Sequence, residues 1–184
     1  MRDHGPWKIL ASREMYADRY VQVELDQVIR PDKQPGQHVV VQMKAGVCVL
    51  PLDERGWVYL TSEFHYAIGR ISLEAVSGGI EPGEDPLETA RRELQEELGL
   101  VATHWHPLVR LDPYTTIIRS PVQLYLATGL APAPAAPEGT ELIETVCLPL
   151  AEAIQRIHCG ELTHAPTCVA LLMAAAIGST KEAV

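Results

Sequence analysis

The sequence predicts one domain that mixes strands with helices, either α+β or a layered α/β arrangement. Three observations lead there. β-branched and alternating runs fill much of residues 20–78 and resume at 104–150; one acidic, amphipathic helix stands between them; and the chain closes on two helical stretches. A length of 184 residues suits a single domain with its own core, and 47% apolar with 21% charged residues is ordinary for a globular protein.

The elements follow in order. YVQVELDQVI (20–29) and HVVVQM (38–43) read as strands, with the Pro, Asp and Gly of RPDKQPGQ supplying a turn between them. GVCVLPLD (46–53) and WVYLTSEF (57–64) flank DERG and read as a hairpin, and ISLEAVSG (71–78) is a further strand entering the acidic segment. HWHPLVRL (104–111) and VQLYLATGL (122–130) are strands joined by the loop DPYTTIIRSP. APAPAAPEG (131–139) is low-complexity and reads as a surface loop, and ELIETVCLPL (141–150) is strand-like. AEAIQRIHCG and PTCVALLMAAAI are helical, the first closed by Gly160 and the second opened by Pro166.

The central helix carries the chemistry. Asp85 is its cap, Pro86 suits the first helical position, Glu88 stands where a capping box wants it, and Gly99 ends it after about 13 residues. Leu87, Ala90, Leu94 and Leu98 form a buried stripe, while Glu93, Glu96 and Glu97 share a neighbouring face. Like charges at this spacing repel, and the helix dipole disfavours anions at its C-terminal end. Folding alone gives no reason for the placement, but a divalent cation does: hard oxygen ligands on one face suit magnesium shared with a phosphate-bearing substrate. Glycines 78, 79 and 83, just before the helix, allow close approach of backbone.

Composition narrows the partners. A formal net charge of −9 with no basic stripe argues against a nucleic-acid surface. CVALLMAAAIG (168–178) is too short to span a bilayer, and residues 1–20 lack a signal peptide's apolar block, so a cytoplasmic location with no membrane partner is expected. Cys48, Cys147, Cys159 and Cys168 form no C-x-x-C pair and read as buried free thiols.

At the acidic segment the chain resembles the Nudix hydrolases. Their motif is Gly, five residues, Glu, seven residues, then Arg-Glu-aliphatic-x-Glu-Glu-x-Gly-aliphatic. Here Gly78, Glu84, and the run Arg92-Glu93-Leu94-Gln95-Glu96-Glu97-Leu98-Gly99-Leu100 fill every fixed position at the right spacing. The resemblance implies an α/β/α sandwich with a mixed β-sheet and Mg²⁺-dependent hydrolysis, with Mn²⁺ as alternative ion, of a nucleoside diphosphate linked to another group. It makes Glu93, Glu96 and Glu97 metal ligands, with the carbonyl of Ser77 or Gly78 as a backbone ligand. Arg92 would hold the glutamates by charge-assisted hydrogen bonds, and Glu84 would support them. LEAVSGG, the ending PLAEAIQRIHCGEL and a strand-rich beginning resemble the ADP-ribose pyrophosphatase and nucleoside-diphosphate-sugar branch. That branch implies an N-terminal β-rich dimerisation segment (1–44), a hydrolase domain (45–184) and a homodimer.

The chain departs from that branch in two places. Glu63-Phe64-His65 stands where the branch carries Gln-Tyr-Arg, leaving His65 as a candidate substrate contact, against an ordinary strand histidine, with Glu74 a further candidate. The loop 112–120 carries no glutamate to act as base, although Tyr114 and Arg119 are candidate substrate contacts, and Pro113 lies 13 residues beyond Leu100. The base would come from the box, from Asp112, or from metal-bound hydroxide alone. Other readings are hydrolysis of a dinucleotide, coenzyme A or nucleoside triphosphate, or a nucleotide-sensing module without turnover. His104 and His106 share a strand face but lack a third zinc ligand; Glu141 and Glu144 are read as solvated strand-edge charges or late metal contributors. Trp7 is read as belonging to the dimer or base-binding region or as an anchor.

Overall fold

The structure, a computed structural model, describes residues 1–135 and 142–181, with side chains as far as Gly178. In chain order it forms β1 (Arg2–His4), β2 (Trp7–Ala17), β3 (Val21–Ile29), β4 (Pro35–Met43), β5 (Gly46–Pro51) and β6 (Trp57–His65). There follow β7 (Arg70–Glu74), β8 (Val76–Gly79), α1 (Pro86–Leu98), β9 (Leu100–Leu111), β10 (Ile118–Arg119) and β11 (Val122–Pro132). β12 (Glu144–Pro149), α2 (Leu150–His158) and α3 (Ala165–Lys181) complete it. The chain divides into two compact units, one of residues 1–45 with 112–121 and one of residues 46–111 with the chain from 122 onward.

The first unit is a five-stranded sheet ordered β1-β2-β3-β4-β10. The expected turn between β3 and β4 forms at Arg30–Gln34, where Asp32 accepts from the Gln34 amide (3.1 Å) and Lys33 takes a left-handed φ of 65°. β2 was not expected, because its pairing with β3 slips between Ile9 and Ala11 and again between Glu14 and Tyr16. Each bulge interrupts the period-2 pattern that would betray a strand. The segment 112–121, expected only as a connecting loop, holds β10, which pairs in parallel with β4 through Ile118 and Val41.

The second unit explains its own sequence through its layers. β5 and β11 lie parallel at the centre of the sheet β8-β5-β11-β9. Along β5, Val47 and Val49 pack with Ala90 and Leu94 of α1, while Cys48 and Leu50 pack with Ala170 and Leu171 of α3. Along β11, Tyr125 and Ala127 face the α1 side, and Leu124 and Leu126 face the opposite core with Ala153 of α2. Strands covered on both faces read as continuous apolar runs, as GVCVLP does. The result is an α/β/α sandwich around a mixed sheet.

Three expectations change in detail. β5 and β6 do not form a ladder across DERG; one bridge, Leu52 to Val58, joins them before β6 enters the separate sheet β12-β6-β7. The turn itself is held by Asp53, which accepts from the amides of Arg55 and Trp57 at 2.9 Å each. The run 71–78 is two strands, since β7 pairs with β6 and β8 with β5. The cysteines are free, but Cys147 and Cys159 are exposed, on an outward strand position and just past α2. Glu144 is exposed on β12, and Glu141 lies outside the described residues.

Candidate active site

α1 positions the acidic cluster with little ambiguity. Asp85 caps it by accepting from the Leu87 amide at 2.8 Å, and Gly99 closes it at φ 60°, a left-handed conformation that glycine adopts without a Cβ penalty. Glu88 turns to Arg91 at 2.6 Å. With Ala90 and Leu94 fully buried, the helix is fixed in rotation, and Glu93, Glu96 and Glu97 emerge half-buried on the adjoining face. The last turn carries no basic residue.

Arg92 is the organiser. Its Nη1 donates to Glu93 Oε1 at 2.8 Å and to Glu96 Oε2 at 2.9 Å. Its Nε and Nη2 reach Glu84 Oε1 and Oε2 at 3.1 and 3.3 Å, and Nη2 approaches the Gly79 carbonyl at 3.5 Å. A rigid guanidinium fork thus ties the loop before α1 to two carboxylates on it. The Arg92 bond and the Glu81 amide hold the Glu84 carboxyl down at about 2, against an ordinary 4.5, and the same carboxylates raise Arg92.

That depression has a consequence for stability. Because the folded state lowers the Glu84 pKa, the linked stability is complete above pH 4.5 and is lost as pH falls toward about 2. Urea midpoints measured across that window should fall more steeply for wild type than for Glu84→Gln.

The strand before the helix meets it at one point. A Cβ at Gly78 would overlap the Glu93 carboxyl group and its Cγ, so only glycine leaves room for that side chain. β8 is in turn locked to β5 in the register Cys48–Ser77 and Val47–Gly78. Gly78, Glu84, Arg92, Glu93 and Glu96 are therefore one contact network built from a strand end, a loop and a helix. Ser77 and Glu97 flank it: Ser77 Oγ donates to the Ala75 carbonyl at 2.8 Å, and Glu97 is half-buried in the last turn of α1.

The remaining candidates are not among the contacts of this network. His65 Nε2 stands 3.2 Å from Glu74 Oε1, and the other Glu74 oxygen is 3.2 Å from His164 Nδ1. His164 escaped the sequence reading; nothing local marks a histidine 90 residues downstream as a partner of Glu74. Tyr114 is exposed, and Arg119 donates to Gln42 Oε1 at 3.2 Å; both belong to the first unit.

Comparison with known proteins now decides the family. The NUDIX domain profile matches residues 42–167, more than half of the chain. The chain belongs to the Nudix family. Preceding that match, residues 7–41 fit the nucleoside diphosphate sugar hydrolase N-terminal domain. The chain is 29% identical over 180 residues to the ADP-ribose pyrophosphatase of Mycobacterium tuberculosis, covering 96% of this chain and 86% of that one. It is 26% identical over 176 residues to the CMP-5'-(N-acetyl-N-hydroxy-3-aminopropyl)phosphonate hydrolase of Streptomyces rubellomurinus, covering 96% and 85%. A solved structure described as an ADP compounds hydrolase superposes with a TM-score of 0.82 over 100% of both chains at 21% identity, which establishes the shared fold.

As a Nudix protein the chain is a pyrophosphohydrolase, of a family that generally uses divalent metals such as Mg²⁺. Its residues suit such an ion. Three carboxylates and nearby backbone carbonyls are hard oxygen donors, and Arg92 orients two of those carboxylates, Glu93 and Glu96. Among the described residues no three carboxylate, imidazole or thiolate groups are already closed around a common point.

Proposed function

We propose that the protein hydrolyses the diphosphate bond of ADP-ribose or a related nucleoside diphosphate sugar, giving a nucleoside monophosphate and a sugar phosphate. The observation that carries this is the Arg92-held carboxylate cluster beside a strand where only glycine at position 78 leaves the Glu93 carboxyl group in place. The sugar-diphosphate class is supported by the N-terminal match at 7–41 and by the likeness to an ADP-ribose pyrophosphatase.

Glu93, Glu96 and Glu97, with the Ser77 carbonyl, would hold Mg²⁺. Bound there, the ion supplies positive charge against the diphosphate oxygens and acidifies water for attack at phosphorus. The chain's own residues do the rest. Arg92 fixes the direction of two carboxylates, Glu84 fixes Arg92, and Gly78 leaves space for Glu93. Residues 112–120 contain no glutamate, so the proton acceptor is a box carboxylate, Asp112 or, where the ion alone activates the water, no protein group. His65, Glu74, Tyr114 and Arg119 are the proposed contacts to the rest of the substrate.

The N-terminal segment 1–44 serves dimerisation in this reading, and the enzyme works in the cytoplasm as a homodimer. Among the described residues no helix is long and apolar enough to cross a membrane. The test is a panel of nucleotide sugars, dinucleotides and triphosphates, assayed with and without Mg²⁺. Metal-dependent release of AMP from ADP-ribose is expected; binding without turnover of any substrate would overturn the proposal.

A further inference from the structure

Between Glu74 and Val76 the chain leaves one sheet and enters another. β7 ends on β6, β8 begins on β5, and Ala75 alone spans the change. Its amide donates to Thr167 Oγ1 at 2.8 Å, with both residues fully buried. Thr167 lies in the first turn of α3, and its hydroxyl is 2.8 Å from His164 Nδ1. That nitrogen is also 3.2 Å from Glu74, whose second oxygen meets His65. On the other side of Ala75, Ser77 Oγ donates to the Ala75 carbonyl at 2.8 Å. A continuous polar path therefore runs from the start of α3 to the strand that faces Glu93.

We propose that His164 and Thr167 are positioning residues that latch the β7–β8 junction to α3 beside the Glu74–His65 pair, and that acid releases Ser77–Gly78 from its place beside Glu93. The consequence for catalysis rests on the function proposed above, whereas the latch itself does not.

Charge sets the direction. Glu74 is one carboxylate shared by two imidazoles, and it can neutralise one imidazolium. A second positive charge would sit by the α3 N-terminus, where the helix dipole opposes it. Burial depresses the His164 pKa below the ordinary 6.5, Glu74 pulls it upward, and His65 pushes it down. Arg70, opposite His65 in the ladder and bonded to Thr163 Oγ1 at 2.8 Å, and Glu63 share the face. The Cys48 thiol, pushed up to about 12 by burial, stays protonated throughout. A histidine whose folded pKa is depressed contributes stability that is complete above 6.5 and is lost as pH falls from there through the folded value.

Amide hydrogen exchange on the full chain without substrate, corrected for intrinsic rates from pH 8 to 5, reads the latch directly. Wild type should lose protection at residues 75–79 below pH 6.5, by up to about tenfold per pH unit, while β11 amides hold theirs. His164→Gln, at a partly exposed site, should flatten that pH dependence, and Thr167→Val should expose the Ala75 amide at every pH. With any substrate the enzyme turns over, wild-type kcat should show an acid limb at the same pH with KM little changed, and His164→Gln should lack it. Identical exchange profiles in wild type and His164→Gln, or a wild-type profile without pH dependence, would overturn the latch. If no substrate is hydrolysed, the exchange profiles still decide it, separating its failure from that of the proposed function.

Discussion

Gly78→Ala should lower kcat by about two orders of magnitude or more while the protein melts close to the wild-type temperature. The added methyl group has no space where the Glu93 carboxyl group lies. Glu93 is the movable party, because β8 is fixed to β5 by a buried ladder and α1 by Ala90 and Leu94. Swinging a long side chain outward costs less than the ~1–3 kcal/mol typical of overpacking a rigid core. The catalytic penalty is larger, because a group displaced by about 1 Å can cost roughly 100-fold. Steady-state kinetics and calorimetry on one preparation check both halves, and a large drop in melting temperature would show that the position is structural.

Glu97→Gln should reduce kcat by about 10²–10³-fold, the scale of losing one preorganised electrostatic contact. Shape is conserved and only charge is removed. Glu97 lies half-buried in the last turn of α1, beside two more glutamates and with no basic residue in that turn. Melting temperature should fall far less than activity does, whereas a residue kept for folding alone would lower both together.

The acidic helix was legible because each of its signals is local. Asp85, Pro86 and Gly99 mark its ends, and the apolar stripe at Leu87, Ala90, Leu94 and Leu98 fixes its rotation. Spacing within that helix also brings Arg92 beside Glu93 and Glu96 at one and four residues' separation. What escaped was set by distant partners. β2 was hidden by two bulges that break its alternation. The run 71–78 looked like one strand, because its division is set by two different partners, β6 for its first half and β5 for its second. His65 and Glu74 were visible as candidates, but their shared partner His164 comes from the start of α3, and only tertiary packing joins them.

Mn²⁺ titration of wild type and Glu97→Gln, followed by electron paramagnetic resonance with a non-hydrolysable nucleoside diphosphate sugar analogue present, tests the central claim most directly. If Glu93, Glu96 and Glu97 together hold the ion, wild type should bind it saturably, and the variant should bind at least about tenfold more weakly while still folded. Equal Mn²⁺ affinity in the two proteins would contradict the assignment of these glutamates as the metal site.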